Sequence, residues 1–210
     1  MFSPINLDTW PRGQVFHHFY QDVRCVICLT SDLDVTPVVT RHKQEGLRFY
    51  PAMIWLVSTA VNSLSSFRMG KDADGRIGIW DRVDPSYIVF HPEDEQFTRR
   101  VTPYHPVFEE FYAAVTSDVE RYSHLRGHAF TPVPPNIFDV SCLPWIRYRA
   151  FGLHVFDDGR YLAPVITWGR YEQQGDRFLM PLSVQIHHAA ADGYHVAQFY
   201  ERLQQAIDRF

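Results

Sequence analysis

The chain has 210 residues, of which 46% are hydrophobic and 21% charged, and its formal net charge is −4. This length suits one domain, because a single core grows to roughly 250 residues before chains usually divide. The dispersed lysines and arginines exclude the concentrated basic surface of a non-specific nucleic-acid binder. No apolar run approaches the ~20 residues of a membrane span, and residues 1–10 lack the pattern of a signal peptide. We therefore expect one domain over residues 1–210, located in the cytoplasm.

The sequence contains three cysteines, Cys25, Cys28 and Cys142. Their number and spacing do not suit a disulfide framework. Cys25 and Cys28 have the spacing of redox and zinc sites, but the two residues between them are apolar and no second pair follows. The pattern favours core thiols within a strand, as expected in a reducing cytoplasm.

In the first half of the chain, helix and strand signals follow one another without repeats or a linker. Prolines near positions 11 and 37 mark helix starts, and Gly46 marks a helix end. The predicted elements are a helix from Asp8 or Thr9, a strand over 25–30, a helix over 36–46, a buried helix over 51–64, strands over 77–80 and 87–90 flanking a turn at Asp84-Pro85, and a helix over 106–122.

The last third is predicted to be mostly β. A turn at residues 157–159 separates strands over 147–156 and 161–168, and a turn at 173–176 leads into a strand over 178–186. Leu182, Val184 and Ile186 alternate with Ser183 and Gln185, as in a strand with one apolar face. An amphipathic helix over 196–207 follows. We predict an α/β fold, a two-layer sandwich with one large mixed sheet covered by helices.

The segment 185–193 carries the strongest chemical signal. A strand ends in His187-His188, three alanines follow, and Asp192-Gly193 precedes the last helix. An imidazole titrates near neutrality, so His188 at a strand end can accept a hydroxyl proton. Two alternatives are a core histidine pair with a capping aspartate, and a metal site. The histidines lack helical zinc spacing, and no Gly-x-Ser-x-Gly motif supports a nucleophilic serine.

This string resembles the signature of chloramphenicol acetyltransferases and, more distantly, of dihydrolipoamide acyltransferase cores. The resemblance extends over nearly the whole chain, because several short segments occur in the family's order. They are Trp-Pro-Arg at 10–12, Arg-Phe-Tyr-Pro at 48–51, Phe-Arg-Met at 67–69, Ile-Trp-Asp at 79–81, Val-Phe-His at 89–91, Ser-Cys-Leu-Pro-Trp at 141–145, Ala-Pro-Val-Ile-Thr at 163–167, Gly-Asp at 175–176 and Leu-Met-Pro-Leu at 179–182.

The resemblance implies a role for each matching residue. His188 is the general base that activates an acceptor hydroxyl toward acetyl-CoA in a ternary complex. Ser141 donates to the oxyanion, and Thr167 orders a water beside it. Asp192 pairs with Arg12 and supports the histidine loop. Acetyl-CoA is the co-substrate, with no metal.

The resemblance also implies where the two substrates bind. The predicted coenzyme A residues are Arg48, Tyr50, Trp145, Arg170 and Tyr171, where Arg48 and Arg170 replace family lysines near the 3′-phosphate. The predicted acceptor residues are Phe19, Val23, Cys25, Phe97 and Phe130.

The acceptor pocket also departs from the family pattern. Phe19 replaces a family tyrosine, and Ser86 and Ile88 replace polar residues. The identity of the acceptor is therefore left open, and it is either chloramphenicol or another alcohol.

The resemblance further implies a homotrimer with active sites between subunits and a role in antibiotic resistance. His188 would then face residues 19–25, Ser141 and Thr167 across the subunit boundary. Two other hypotheses remain: a dihydrolipoamide acyltransferase-type core, and a non-catalytic protein that binds aromatic compounds.

Overall fold

The computed structural model describes residues 1–126, 133–155 and 157–210. Within these residues the chain forms β-strands, α-helices and two short helical segments of other types. The strands are β1 (Phe2–Pro4), β2 (Val26–Asp34), β3 (Met69–Lys71), β4 (Ile77–Trp80), β5 (Asp84–His91), β6 (Gln96–Val101), β7 (Ile137–Leu143), β8 (Val165–Gly169), β9 (Glu172–Gln174) and β10 (Arg177–His187). The α-helices are α1 (Gly13–His17), α2 (Thr36–Glu45), α3 (Phe49–Asn62), α4 (Phe108–Arg121) and α5 (Gly193–Asp208), with a π-helix at His18–Asp22 and a 3₁₀ helix at Ser65–Arg68.

The larger sheet has the strand order β2-β10-β8-β7-β5-β6, and the short β9 pairs with β10. Strands β5, β7 and β8 are parallel to one another, whereas β10 runs antiparallel to both β8 and β2. A separate small sheet has the order β1-β4-β3. The prediction of an α/β fold with a large mixed sheet and helices is confirmed.

One face of the large sheet is apolar and forms the core with the helices. Leu182, Val184 and Ile186 of β10 belong to this core, as predicted from their alternation, together with Trp168 of β8. Helix α3 lies at its centre, where most of its residues are buried. Helices packed on this face leave the other face of the sheet free for polar side chains.

The polar face carries a row of hydroxyl side chains, because Ser141, Thr167, Ser183 and Thr30 are successive partners in the strand register. The chain after β7 crosses this face. Tyr148 donates its hydroxyl to the Thr167 carbonyl at 2.6 Å, and the Leu153 amide donates to the side-chain oxygen of Gln185 at 2.8 Å. The prediction of a strand over 147–156 is therefore wrong for the described residues 147–155. They contact the sheet through hydrogen bonds that involve side chains, and not through strand pairing.

Several boundaries differ from the sequence prediction. Asp84 and Pro85 are the first residues of β5, not a turn, which agrees with the tolerance of proline at a strand start. The first helix begins only at Gly13, and residues 161–164 precede β8 without being part of it. The turns predicted at 157–159 and 173–176 are present, with Gly159 and Gly175 at φ +67° and +66°. Strands β1, β3, β6, β7 and β9 were not predicted.

Candidate active site

The loop that carries His188 begins where β10 ends. The amide of His188 donates to the carbonyl of Cys25 at 3.0 Å, and the amides of Ala190 and Ala191 both donate to the carbonyl of His187. Residues 189–191 are fully buried, so their small side chains are what allow the chain to turn inside the protein. The loop therefore holds the His188 backbone in one position.

Asp192 connects this loop to two elements. Its carboxylate accepts from the amide of Tyr194 at 3.1 Å and so caps α5, while Arg12 Nη1 lies 2.5 Å from Oδ2. His195 Nδ1 lies 2.8 Å from Oδ1 and 3.2 Å from the Asp192 amide nitrogen, in the geometry of a capping box, and with its hydrogen on Nδ1 the ring donates to Oδ1. Burial alone would raise the pKa of Asp192, but the hydrogen bonds from Arg12 and His195 outweigh it and lower the pKa to about 2. The carboxylate is thus ionised and cannot act as a base that accepts a proton near neutral pH.

His187 is fixed by both of its ring nitrogens. Nδ1 accepts from the amide of Ala189 at 3.1 Å, so the hydrogen is on Nε2, which donates to the carbonyl of Gly159 at 2.7 Å. Burial lowers the pKa of His187, which favours the neutral ring. With both nitrogens occupied, His187 is a support for the loop, not a free base.

The His188 imidazole lies flat against Phe19. The two ring centroids are 3.8 Å apart with an interplanar angle of 8°. Nδ1 of His188 is buried and has no hydrogen-bond partner among the residues that the structure describes. Tyr20, next to Phe19, stacks instead on Phe16 and lies near His187, with centroid distances of 4.9 and 5.6 Å. Phe19 is therefore the ring that orients the imidazole.

A cavity of about 1180 Å³ opens at the carboxyl ends of the parallel strands β5, β7 and β8. Ligands of open α/β sheets commonly bind at this edge. Six predicted site residues line the cavity. They are Tyr50, Phe97, Ser141, Trp145, Arg170 and Tyr171.

The polar groups near this cavity differ in how they are paired. The Tyr50 hydroxyl donates to the Ile88 carbonyl at 2.8 Å, and burial raises its pKa well above the usual value. Thr167, the register partner of Ser141, has a buried hydroxyl without a hydrogen-bond partner within the described part of the chain. Thr167 is thus an unpaired polar group beside the cavity residue Ser141.

The two predicted phosphate-binding arginines lie at different places. Arg170 lines the cavity and pairs with Glu172 at 3.2 Å. Arg48 does not line it; it lies just before the cavity residue Phe49 and pairs with Glu120 at 2.9 Å. Both arginines are about half exposed, so a phosphate could reach them.

His188 and Ser141 are far apart within one chain. Ser141, Thr167 and Ser183 share one row of the sheet, and His188 follows Ser183 by five residues, one position past the end of β10. At ~3.3 Å per residue along a strand and ~4.8 Å between strands, the separation is roughly 19 Å. The reason is topological: β10 is antiparallel to β8, so its carboxyl end lies at the opposite edge of the sheet.

The predicted acceptor residues divide in the same way. Phe19 and Cys25 contact His188 in the same chain, with Val23 close by in sequence, so the expectation that residues 19–25 face His188 across a boundary is wrong. Phe97 lies in the cavity with Ser141. Phe130 lies outside the described residues.

Some features of the site were missed by sequence reasoning. His195 completes the capping box, and its position three residues after Asp192 was the available signal. Cys28 was predicted to be a core thiol but is exposed on the edge strand β2.

In the described ranges, no group of three or more His, Cys, Asp or Glu is placed to hold a metal ion, and no helix is long and apolar enough to cross a membrane.

Residues 1–204 match the family model described as chloramphenicol acetyltransferase. A relative of that name from Streptomyces acrimycini is 41% identical over 96% of this chain and 92% of its own length, and one from Staphylococcus aureus is 38% identical over 99% and 96%. A solved chloramphenicol acetyltransferase, 22% identical, matches with a TM-score of 0.86 over 99% of this chain and all of its own. A dihydrolipoamide acetyltransferase from Azotobacter vinelandii shares the fold, with a TM-score of 0.64 at 18% identity, over 91% of this chain and 84% of its own. The chain belongs to the chloramphenicol acetyltransferase family.

Proposed function

We propose that this protein is a chloramphenicol O-acetyltransferase that transfers the acetyl group of acetyl-CoA to an acceptor hydroxyl in a ternary complex. The observation that carries the proposal is the cavity. Tyr50, Trp145, Arg170 and Tyr171 were selected from sequence as coenzyme A residues and Ser141 as an oxyanion donor, and all five line one cavity.

The reaction begins with proton removal by His188. Because Nδ1 is buried, Nε2 is the ring nitrogen that takes the proton from the acceptor hydroxyl. The acceptor oxygen forms a bond to the thioester carbonyl carbon, and the Ser141 hydroxyl donates to the oxyanion. The carbon–sulfur bond then breaks, and the thiolate takes the proton from His188. A positioned base contributes roughly 10²–10⁴-fold and one oxyanion donor roughly 10²–10³-fold.

Three other residues support these two groups. Thr167 has a buried, unpartnered hydroxyl in the described structure, next to Ser141 in the register, where it can order a water beside the oxyanion. Asp192 and Arg12 hold the histidine loop against the start of the chain. Their role is structural, because the low pKa of Asp192 keeps it ionised.

Coenzyme A is suited to this cavity by size and by charge. Drug-sized ligands occupy pockets of roughly 300–1,000 Å³, and this one measures about 1180 Å³. Its interior is mainly apolar, as the methylene-rich pantetheine arm requires. Arg170 at its edge and Arg48 beside Phe49 supply charge for phosphates, and Tyr171 offers a ring for the adenine.

The assembly we propose is a homotrimer with active sites between subunits. Since a base must be within hydrogen-bond reach of the proton it removes, a roughly 19 Å separation requires His188 and Ser141 from different copies. Large apolar side chains are exposed in the segments near these residues in sequence or across the polar face. They are Val23, Trp145, Ile146, Leu153 and Val155. A heterologous contact between copies closes into a ring, and three copies follow from the family resemblance.

Acceptor identity rests on the rings around His188 and in the cavity. Phe19 and Phe97 suit the nitrophenyl ring of chloramphenicol, whereas Phe19 lacks the hydroxyl of the family tyrosine. One neutral hydrogen bond contributes about 0.5–1.5 kcal/mol, so its absence weakens chloramphenicol binding without preventing it. Another alcohol, acetylated by the same groups, is the second candidate.

The test is release of free thiol from acetyl-CoA, with the product identified by mass spectrometry. We expect chloramphenicol-dependent thiol release and a product that is heavier by one acetyl group. Acetylation of another alcohol without chloramphenicol turnover would establish the second candidate, and transfer to dihydrolipoamide would indicate the acyltransferase-core hypothesis. Binding of chloramphenicol without any thiol release from a panel of alcohols would indicate a binding protein.

A further inference from the structure

The chain leaves β7 through a turn that carries the cavity residue Trp145. The amide of Ile146 donates to the Leu143 carbonyl at 3.3 Å, which closes a turn with Pro144 in its second position. Proline is favoured at this position because its ring fixes φ. Residues 144–148, which we call the crossing segment, then pass over the end of β8. The place of Trp145 at the cavity therefore depends on where this segment lies.

A backbone hydrogen bond joins the crossing segment to the residue that follows β8. The carbonyl of Ile146 accepts from the amide of Arg170 at 2.9 Å. This bond holds the backbones of the two cavity residues Trp145 and Arg170 beside each other. The next residue of the segment, Arg147, donates to Asp32 of β2 at 2.7 Å. A displacement of the segment would thus change the distance between Trp145 and Arg170.

Tyr148 holds the other end of the crossing segment. Its hydroxyl donates to the Thr167 carbonyl of β8 at 2.6 Å and accepts from the Ser183 hydroxyl of β10 at 3.3 Å. Burial raises the pKa of Tyr148 to about 12, so the hydroxyl keeps its proton and remains a donor near neutral pH. This one side chain therefore connects the segment to two strands of the sheet.

The crossing segment can lie this close to β8 because residue 169 is glycine. A Cβ at Gly169 would be 2.9 Å from the Ile146 carbonyl oxygen and 3.0 Å from two carbons of the Tyr148 ring. Gly169 does not have a positive φ, so a larger residue there would act through its volume alone. Glycine within a strand often marks the close approach of another backbone. An added methyl group would therefore push the crossing segment away from β8.

We propose that Gly169 and Tyr148 are positioning residues for coenzyme A, because they hold the crossing segment where Trp145 and Arg170 meet the ligand. The identity of the ligand rests on the proposed function. Gly169 itself lines the cavity, whereas Tyr148 does not. An effect of Tyr148 on the ligand must therefore pass through the segment, and this residue separates positioning from direct contact.

The first test is Tyr148→Phe, which keeps the ring and removes the hydroxyl that ties the segment to the sheet. We expect the dissociation constant of CoA, measured by calorimetry, to rise about two- to tenfold. The KM for acetyl-CoA should rise by a similar factor with kcat nearly unchanged, because the lost binding is the same in ground and transition states. Ser141 and Thr167 keep their places, since strand pairing holds them.

The second test is Gly169→Ala, which displaces the segment directly. We expect the dissociation constant of CoA to rise about tenfold or more, as it does when a hydrogen bond to a charged group is lost. In the double variant, Tyr148→Phe should weaken CoA binding less than it does alone, because both changes act on one segment.

Each variant has a matched control outside the cavity. Tyr200→Phe also removes a hydroxyl that donates to strand carbonyls, those of Leu29 and Leu182. Gly78→Ala places a Cβ 2.4 Å from the Ser3 carbonyl oxygen in the small sheet. Both controls should lower the melting temperature and leave CoA affinity and KM unchanged. If they raise KM as much as the segment variants do, the effect is general destabilisation and the proposal is wrong.

The remaining outcomes separate this proposal from the proposed function. If the unaltered protein binds CoA and Tyr148→Phe, folded by circular dichroism, binds it equally well, the positioning proposal is wrong and the proposed function stands. This holds even if Gly169→Ala weakens binding, because that residue would then act by its volume in the cavity wall. If Gly169→Ala does not fold, the comparison of Tyr148→Phe with Tyr200→Phe decides. If the unaltered protein does not bind CoA, the proposed function and the positioning proposal both fail.

Discussion

The histidine loop and the cavity differ in how completely their polar groups are paired. The groups that support the loop are paired, since both ring nitrogens of His187 and both oxygens of Asp192 have partners, whereas Nδ1 of His188 itself is buried without one in the described structure. Beside the cavity, the hydroxyl of Thr167, the register partner of the cavity residue Ser141, is buried and has no partner in the described structure. The paired supports can orient the base before any ligand arrives, whereas the hydroxyl of Thr167 gains a partner only when a water or ligand binds beside it. Catalytic orientation and ligand binding are thus assigned to opposite edges of one sheet.

Removal of the base should have the largest effect. We expect His188→Ala to reduce kcat by roughly 10²–10⁴-fold, because His188 is the imidazole that stacks flat on Phe19, whereas His18 meets that ring edge-on and is paired with Asp22. CoA affinity and far-UV circular dichroism should remain close to those of the unaltered protein. His105→Ala, which changes an exposed histidine paired with Glu110, is the control. Turnover above about a tenth of normal in His188→Ala would disprove the assigned role.

Breaking the ion pair should loosen the loop and lower the melting temperature. The pair is partly exposed, with side chains of Arg12 and Asp192 at 23% and 35%. Its loss should therefore cost less than the ~3–5 kcal/mol of a fully buried pair. We expect a lower melting temperature and lower kcat for both Arg12→Ala and Asp192→Ala. Asp74→Ala, which breaks an exposed pair with Arg76, should change neither. Unchanged melting of both loop variants would contradict this role.

The paired state of His187 predicts a pH dependence. Its pKa is below the ordinary value of 6.5 in the folded protein, so the unfolded chain binds the proton more readily. Its contribution to stability is therefore complete above pH ~6.5 and decreases as the pH falls below that value. The melting temperature should fall more between pH 7.5 and 5.5 in the unaltered protein than in His187→Gln. Equal pH dependence of the two proteins would show that His187 is not the group responsible.

Phe19→Tyr should have the smallest effect. It adds a hydroxyl to the ring that stacks on His188 of the histidine loop. The ring keeps its stack on His188, and the new hydroxyl can contact the acceptor. We expect the KM for chloramphenicol to fall about two- to tenfold with kcat nearly constant. Tyr20→Phe is the control, because Tyr20 is turned toward Phe16 and His187. An unchanged KM in Phe19→Tyr would indicate that the acceptor does not reach this ring.

Sequence reasoning identified the loop better than the arrangement of the site. The alternation of β10 and the string from His187 to Gly193 are local patterns, so they predicted the strand, the turn and the capped helix. The segment 147–155 misled the prediction because its polar groups bond to the sheet through Tyr148 and Gln185, which no local pattern encodes. The distance from His188 to Ser141 depends on strand order and register, which no local pattern of the sequence indicates.

The central claim is that each active site combines His188 of one copy with Ser141 of another. Coexpression of His188→Ala and Ser141→Ala chains tests it directly, since each variant alone should be nearly inactive. Random mixing in trimers should restore about a quarter of normal activity, because about three quarters of the trimers are mixed and each mixed trimer contains one site with both residues intact. Activity of the mixture no greater than that of the separate variants, with mixed trimers demonstrated by mass spectrometry, would contradict the claim.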